Sequence, residues 1–345
     1  MASPFDLSSD LTLSAARAFM EACLDPASDP QAVGQALLDY NRRPLRGTEL
    51  TAFAQVLGER ATPFTCGVRP VLDTCGTGGD ARVGVHTANL STLSALALAH
   101  LGVDLVKHGS RAASSLCGSA DLLEALGLDL ERSPAQVEAD LTRSHFAFLF
   151  APRFHPVLAR MVPIRRGLGV PTVFNMLGPL LNPARPEFQV LGVAKAEWLE
   201  PVAQALAAGG LRGALVVHGL TAEGVGMDEA SLDGPTRILP VREGQVLAEQ
   251  VIYPGDTGAR AVPGLRAAAS KADCVALALG FAAGPGHPDH CPRVLEEVAL
   301  QAALGLLLVR EGSLADLAGT VAEVRDGLQG GVRLPTLLAR AEECS

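Results

Sequence analysis

From Leu11 to about Thr62 apolar residues return at every third or fourth position. Leu13, Ala16, Met20 and Cys23 make one run, and Leu50, Phe53 and Leu57 another. That spacing predicts helices. Asp25-Pro26 and Arg43-Pro44 fall between the runs as breaks. The opening therefore reads as a small bundle of short helices, which buries little by itself and is expected to pack on the rest of the chain or on a second subunit. Past Pro70 the texture changes. Short apolar strands are predicted at Val71 to Thr74, Val103 to Val106, Val190 to Val193 and Ala214 to Val217, with helices such as Leu90 to Leu101 and Trp198 to Ala208 between them. This alternation predicts an α/β fold with a mostly parallel sheet flanked by helices, behind a small all-helical N-terminal part. Sheets of this kind receive ligands at the carboxyl ends of their strands, where turns into helices present backbone N–H groups.

Composition narrows the reading. The chain has 345 residues, 48% hydrophobic and 19% charged, with a formal net charge of -9. It supports a sizeable core, and disorder is excluded. The acidic balance favours neither a nucleic-acid backbone nor an anionic membrane as partner, so local positive clusters are read as local sites. No segment stays apolar long enough to cross a bilayer, and Met1-Ala-Ser-Pro-Phe-Asp lacks a basic start before an apolar run, so a cytoplasmic protein is expected. The seven cysteines are scattered, with no C-x-x-C pair, which argues against a disulfide framework. His287, His290 and Cys291 lie close together, but structural zinc takes four ligands and no second cluster accompanies them, so a polar surface loop is expected there.

Three motifs at the predicted strand ends carry chemistry. Asp73-Thr74-Cys75-Gly76-Thr77-Gly78-Gly79-Asp80 follows Val71-Leu72, and its glycines remove the Cβ atoms that would keep backbone amides from curling around a phosphate. Neither the dinucleotide fingerprint nor the P-loop pattern is met. Thr87-Ala88-Asn89-Leu90-Ser91-Thr92 precedes an apolar helix, where Asn89 or Ser91 serves either as a cap or as a ligand for phosphate or a hard cation. Finally, Lys107-His108-Gly109-Ser110-Arg111-Ala112-Ala113-Ser114-Ser115, with Ser119 close behind, brings two cations and several hydroxyls together after a strand, a second polyanion site.

In this order and spacing, Gly-Thr-Gly-Gly-Asp, Asn-Leu-Ser-Thr, Lys-His-Gly-x-Arg and Gly-Ser-Ala-Asp-x-Leu-Glu-Ala-Leu-Gly closely resemble anthranilate phosphoribosyltransferase, an enzyme family of tryptophan biosynthesis. The resemblance continues through Phe150 to Pro156, Ile164-Arg165-Arg166, Val173 to Pro179, Asn182-Pro183 and Gly226 to Glu229. It implies a fold of the nucleoside phosphorylase and phosphoribosyltransferase type, with a helical domain over 1–66 joined by a helical segment near 155–185, and an α/β domain over 67–345 that binds phosphoribosyl diphosphate. Gly76, Gly79 and Asp80 would hold the diphosphate end of this donor, with Thr87, Asn89, Leu90, Ser91 and Thr92 alongside. Lys107, His108, Gly109, Ser110, Arg111, Ala112, Ala113, Ser114, Ser115 and Ser119 would complete the donor contacts. The family implies two Mg²⁺ ions per subunit, one on Ser91 and the other on Asp228 and Glu229. Lys107 would stabilise the leaving diphosphate. For the acceptor anthranilate the resemblance implies Gly76, Ser110, His155 and Arg165, with Arg166 competing for the carboxylate and His155 open to a plain backbone-bonding role. A homodimer formed through the helical domain is implied.

The chain also departs from the family pattern. Ser110 stands where the family has Asn, the Asp80 to Thr87 segment is about three residues longer with Ala81 in place of glycine, Leu181 replaces a Thr, and Asp273 and Gln301 replace asparagines. Two alternatives stay open on the residues alone: a paralogous phosphoribosyltransferase with another aromatic amine or base as acceptor, and a non-catalytic relative that binds phosphate-rich ligands or nucleic acid.

Overall fold

The computed structural model describes residues 4–78, 88–112, 116–260, 262 and 268–332. Three helices open the chain, α1 (Leu13–Leu24), α2 (Pro30–Tyr40) and α3 (Gly47–Glu59). There follow β1 (Leu72–Gly76), α4 (Leu90–His100), β2 (Leu105–Gly109), α5 (Ser119–Ala125), α6 (Pro134–Ser144) and β3 (Phe146–Phe150). Short helices α7 (Ala151–Phe154), α8 (Met161–Leu168) and α9 (Phe174–Leu177) lead to β4 (Phe188–Gly192), α10 (Leu199–Ala208) and β5 (Gly213–Leu220). Then come β6 (Gly226–Met227), β7 (Thr236–Arg242), β8 (Gln245–Val246), β9 (Gln250–Ile252), α11 (Lys271–Ala283), α12 (Pro292–Val309) and α13 (Leu317–Gly327). Local chemistry starts several of these helices. Thr12 accepts from the Ala15 amide ahead of α1, Asp29 caps α2 with Pro30 in its first turn, and Ser133 and Gln136 form a capping box on α6.

Among the described residues the sheet runs in the order β3-β2-β1-β4-β5-β7-β8, with β6 also on β5 and β9 also on β7. Its first five strands are parallel, and β6 to β9 add an antiparallel edge. One face carries the core built on α4, α5, α11, α12 and α13, with Leu72, Phe188, Leu215 and Ile238 from the sheet. The other face packs Cys75, Leu191, Val216 and Leu239 against α1 to α3, α8 to α10 and the residues around them, so the N-terminal helices share a core with the sheet. No helix among the described residues is long and apolar enough to cross a membrane.

Three sequence expectations need correction. Leu13, counted with the buried stripe of α1, is 49% exposed on the first turn, whereas Ala16, Met20 and Cys23 are fully buried. The strand expected at Val103 to Val106 begins only at Leu105, because Val103 belongs to the cap of α4: Gly102 takes φ +83° and the Val103 amide donates to Leu98 O at 2.9 Å. The strand then runs on through Lys107, His108 and Gly109, so successive side chains of the basic motif point to opposite faces of the sheet. Strand β3, although its Phe146-Ala-Phe-Leu-Phe150 run is wholly apolar, was not among the expected strands, and the antiparallel edge β6 to β9, which carried no distinct signal in the apolar pattern, was not expected either.

Candidate active site

Strands β1, β2 and β4 each end in glycine, at Gly76, Gly109 and Gly192. The approach of other groups to these tips explains why. A Cβ on Gly76 would lie 2.2 Å from Asp228 Oδ2, one on Gly192 would lie 1.5 Å from Asp228 O, and one on Gly109 would lie 2.1 Å from Ser119 Oγ. The tips thus form a backbone cradle, and Asp228 reaches into it. Its Oδ2 accepts the Gly78 amide at 2.7 Å, with Gly78 at φ +66°.

Asp228 and Glu229 come from the turn after β6, whose antiparallel pairing with β5 (Gly219 opposite Met227) brings the turn back over the sheet. Both carboxylates are about nine-tenths buried. They line one small cavity together with Ser91, Thr74, Cys75 and Gln301. From α12, Gln301 Nε2 donates to Ala230 O at 2.9 Å and holds the turn just past the acidic pair. The donor set there is carboxylate and hydroxyl oxygen, the chemistry that suits a hard divalent cation, and the missing Cβ atoms at Gly76 and Gly192 leave the carboxylate its place. Among the described residues no three His, Cys, Asp or Glu side chains gather into a metal cluster of another kind. His287 Nδ1 instead accepts the Asp289 amide at 3.2 Å, and His290 Nδ1 lies 3.4 Å from Gly280 O.

Lys107 is 2% exposed. Its Nζ donates to Thr74 O at 2.5 Å and to Ser91 Oγ at 3.3 Å. Burial pushes its pKa down, opposed by the negative charges of Asp73 and, less, of Glu229. Asp73 lies across the sheet, where its Oδ2 accepts from Asn182 Nδ2 at 2.9 Å and Gln189 Nε2 at 3.2 Å. Burial raises Asp73 to about 6, against the pull of Lys107 and of those amides. Asn89, the residue before α4, adopts a left-handed conformation (φ +53°) and makes no side-chain cap bond; its Nδ2 donates to Cys117 O at 2.7 Å and ties the start of α4 to the basic loop. Leu90 is buried, and the Thr92 hydroxyl is buried without a partner among the described residues.

His108 points to the opposite face and meets His155, ring centroids 5.2 Å apart. His155 Nε2 donates to Leu181 O at 2.8 Å and His108 Nδ1 lies 3.3 Å from Gly178 O, while His155 Nδ1 and His108 Nε2 are buried without a partner among the described residues. Burial, and then the neighbouring His155, lower His108 to about 3; burial also lowers His155. Two neutral imidazoles therefore sit together, each with an acceptor nitrogen to spare. Arg165 is half-buried, donates to Asn175 Oδ1 at 3.1 Å and lies over the Phe174 ring, whereas Arg166 is exposed. Ser110, Arg111 and Ala112 are exposed, and Arg111 forms a two-bonded pair with Glu124 at 2.6 and 2.8 Å. Of the expected site residues, Gly79, Asp80, Thr87, Ala113, Ser114 and Ser115 lie outside the described residues, as does the lengthened 80–87 segment with Ala81.

A cleft of about 1120 Å³ lies elsewhere, between α3, the 179–186 segment and the end of α10, with His155 and Gln189 in its walls. Its polar groups are less convergent than those at the strand tips, so cavity size alone does not select the site. Several groups that shape the tips were not singled out as site residues from sequence. Asp73 lay within the glycine-rich motif and Asn175 within the Val173 to Pro179 motif without a role given to either, while Gln189 carried no signal, because its contact with Asp73 crosses more than a hundred residues.

Residues 68–333 match the model of the glycosyl transferase family, a/b domain. The anthranilate phosphoribosyltransferase of Chloroflexus aurantiacus (strain J-10-fl) is 40% identical over 331 residues, covering 95% of this chain and 93% of that protein. That of Synechococcus sp. (strain CC9902) is 45% identical over 257 residues, 74% of this chain and 71% of its own. Among solved structures, the anthranilate phosphoribosyltransferase of Thermus thermophilus superposes with a TM-score of 0.83 at 39% identity, covering 98% of this chain and 96% of that one. The Saccharomyces cerevisiae enzyme, solved in complex with PRPP and Mg, shares the fold at a TM-score of 0.79 and 23% identity, covering 99% and 92%.

Proposed function

The chain belongs to the anthranilate phosphoribosyltransferase family, and on that premise we propose that it transfers the phosphoribosyl group of 5-phosphoribosyl 1-diphosphate to the amine of anthranilate. The products are N-(5-phosphoribosyl)anthranilate and diphosphate, a step of tryptophan biosynthesis. The observation that carries this reading is the convergence of buried Lys107, Asp228 and Glu229 with half-buried Ser91 on the glycine-ended strand tips.

In the reaction the bond from the ribose anomeric carbon to the diphosphate oxygen breaks as the bond to the amine nitrogen forms, and the amine sheds one proton to water. Negative charge grows on the leaving group, and the sugar takes oxocarbenium character. A positive charge held in a buried, preorganised place acts most strongly on such charge, which is the task assigned to Lys107. Gly76 and the amides near it, with Gly79, Asp80 and Thr87, take the diphosphate end, beside Asn89 to Thr92 at the N-terminus of α4. The backbone of His108, with Gly109, Ser110, Ala112 to Ser115 and Ser119, lines the rest of the donor, with Arg111 at the rim on Glu124. Ser91, Asp228 and Glu229 would hold Mg²⁺, for which the family implies two ions. The cation's contribution is to neutralise diphosphate charge.

The acceptor is assigned to the opposite side of the sheet tips. Arg165, fixed by Asn175 and Phe174, pairs with the anthranilate carboxylate. Gly76, Ser110 and His155 complete that end, and the spare nitrogens of His108 and His155 accept the N–H groups of the amine. We assign residues 1–66 and the segment near 155–185 to a helical domain and 67–345 to the donor-binding domain. We further assign the chain to a cytoplasmic homodimer formed through the helical part, where Leu13 and Val162 are exposed.

The test is direct. The protein is incubated with phosphoribosyl diphosphate, Mg²⁺ and anthranilate while anthranilate fluorescence is followed; the fluorescence should fall in proportion to diphosphate released. Diphosphate release with another amine but not with anthranilate would replace the acceptor, and no release with any acceptor would sink the enzymatic reading.

A further inference from the structure

The basic loop between β2 and α5 is drawn together at its two ends. Ala120 N donates to Ser110 O at 3.2 Å. Gly118 packs so closely on the entering strand of the loop that a Cβ there would lie 2.4 Å from Ala112 N and 2.6 Å from Arg111 C. One atom bridges this closure: Asp121 Oδ2, on the first turn of α5, accepts the Ala112 amide at 2.8 Å and the Gly118 amide at 3.0 Å. Its other oxygen receives Lys271 Nζ from the start of α11 and Arg111 Nη1, both at 3.4 Å. Arg111 is in turn held by Glu124 one turn further along α5.

We propose that Asp121 is a positioning residue for the donor site: its carboxylate clamps the entering and leaving ends of the phosphate loop together and so presets the loop for phosphoribosyl diphosphate. The inference rests on the functional reading above. Asp121 does not itself face the donor as a ligand, since a carboxylate and a phosphate repel. It acts by occupying two loop amides from behind and by anchoring the loop to α5 and α11. The environment suits a charged clamp: partial burial alone would raise the carboxyl pKa, and the hydrogen bonds from Ala112 and Gly118 with the charge of Lys271 bring it below the ordinary carboxylate range. The same cluster gives Arg111 its place, as a brace between loop and helix.

Three substitutions separate geometry from charge. Asp121→Ala removes both hydrogen bonds to a charged acceptor; Asp121→Asn keeps an oxygen for both amides and loses the charge; Asp121→Glu keeps the charge and moves the oxygen by one methylene. Donor affinity is read by calorimetry with phosphoribosyl diphosphate and Mg²⁺, and steady-state KM values are read for donor and acceptor, with a thermal melt as control. Asp121→Ala should raise donor Kd and KM by about tenfold or more, the scale of one or two charge-assisted hydrogen bonds, with the anthranilate KM within about twofold. Asp121→Asn should return the donor KM to within about threefold of wild type. If the alanine variant does not fold, Asp121→Glu carries the test, with a donor KM raised at least about threefold at an unchanged melting temperature. An unchanged donor Kd in a folded alanine or glutamate variant would overturn the inference. So would an equal rise of both KM values, which marks general disruption, or an asparagine variant as impaired as alanine. Failure of the wild-type chain to bind the donor at all would overturn the functional reading beneath it, and that outcome is visible before any variant is made.

Discussion

The buried imidazole of His108 makes the stability of this fold depend on pH in a way that can be worked out beforehand. In the unfolded chain a histidine titrates near 6.5, whereas in the fold burial lowers His108 to about 3. The unfolded state therefore binds the proton first as pH falls, so the contribution of His108 is fully present above pH 6.5 and is lost on the way down to pH 3. Between pH 7 and pH 5 this linkage removes about 2 kcal/mol. Asp73 works in the opposite direction: its folded pKa is raised to about 6, so the fold takes up that proton first and gains about 1 kcal/mol over the same interval. The histidine term is the larger, and other groups cancel when variants are compared. Urea unfolding of the wild type and of His108→Gln at pH 7 and pH 5 gives the measurement. The wild type should lose about 2 kcal/mol more than the variant on acidification. Parallel losses in the two proteins would show that His108 is not held neutral in the fold, and the acceptor role of its spare nitrogen would fall with it.

Other substitutions probe the site and its frame. Gly76→Ala sets a Cβ 2.2 Å from Asp228 Oδ2; turnover should fall at least about tenfold with an unaltered circular dichroism spectrum, and normal activity would mean that the carboxylate need not occupy the cradle. Asp228→Asn with Glu229→Gln should abolish the response of rate to Mg²⁺ concentration while the melting transition persists, and an unchanged Mg²⁺ titration would remove both residues from the metal site. In the helical part, fully buried Glu49 takes hydrogen bonds from Tyr40 Oη at 2.6 Å, Arg43 Nη2 at 3.1 Å and the Leu11 amide at 3.0 Å. Glu49→Ala should therefore destabilise the fold by about 3 kcal/mol or more, and a loss under about 1 kcal/mol in a urea melt would refute the role given to this network. Ser110→Asn restores the residue usual in the family; a lower KM for anthranilate alone would place position 110 at the acceptor, and a change confined to the donor KM would place it at the phosphates.

The α/β class, the helical opening and the chemistry of the basic and glycine-rich motifs were legible in the sequence, because each depends on neighbours a few residues apart. Apolar spacing marked α1 to α4, and the density of glycine, serine and cation marked the ends of β1 and β2. Edge strands β7 to β9 were not legible, since short strands around a Pro and charged residues give no clean alternation until pairing with β5 defines their faces. Pairing also decided which side of the sheet each residue serves. Lys107 and His108 are adjacent in sequence, yet the alternation of β2 sends one to Ser91 and the other to His155. Asp228 reaches Gly76 and Gly78 across about 150 residues, and Gln189 and Asn182 meet Asp73 across more than a hundred. Local sequence thus determined what chemistry the chain carries and where its turns lie. Only the tertiary fold decided which charges are buried together and how far their pKa values move, because burial and Coulomb interaction depend on distance in space and not on distance along the chain.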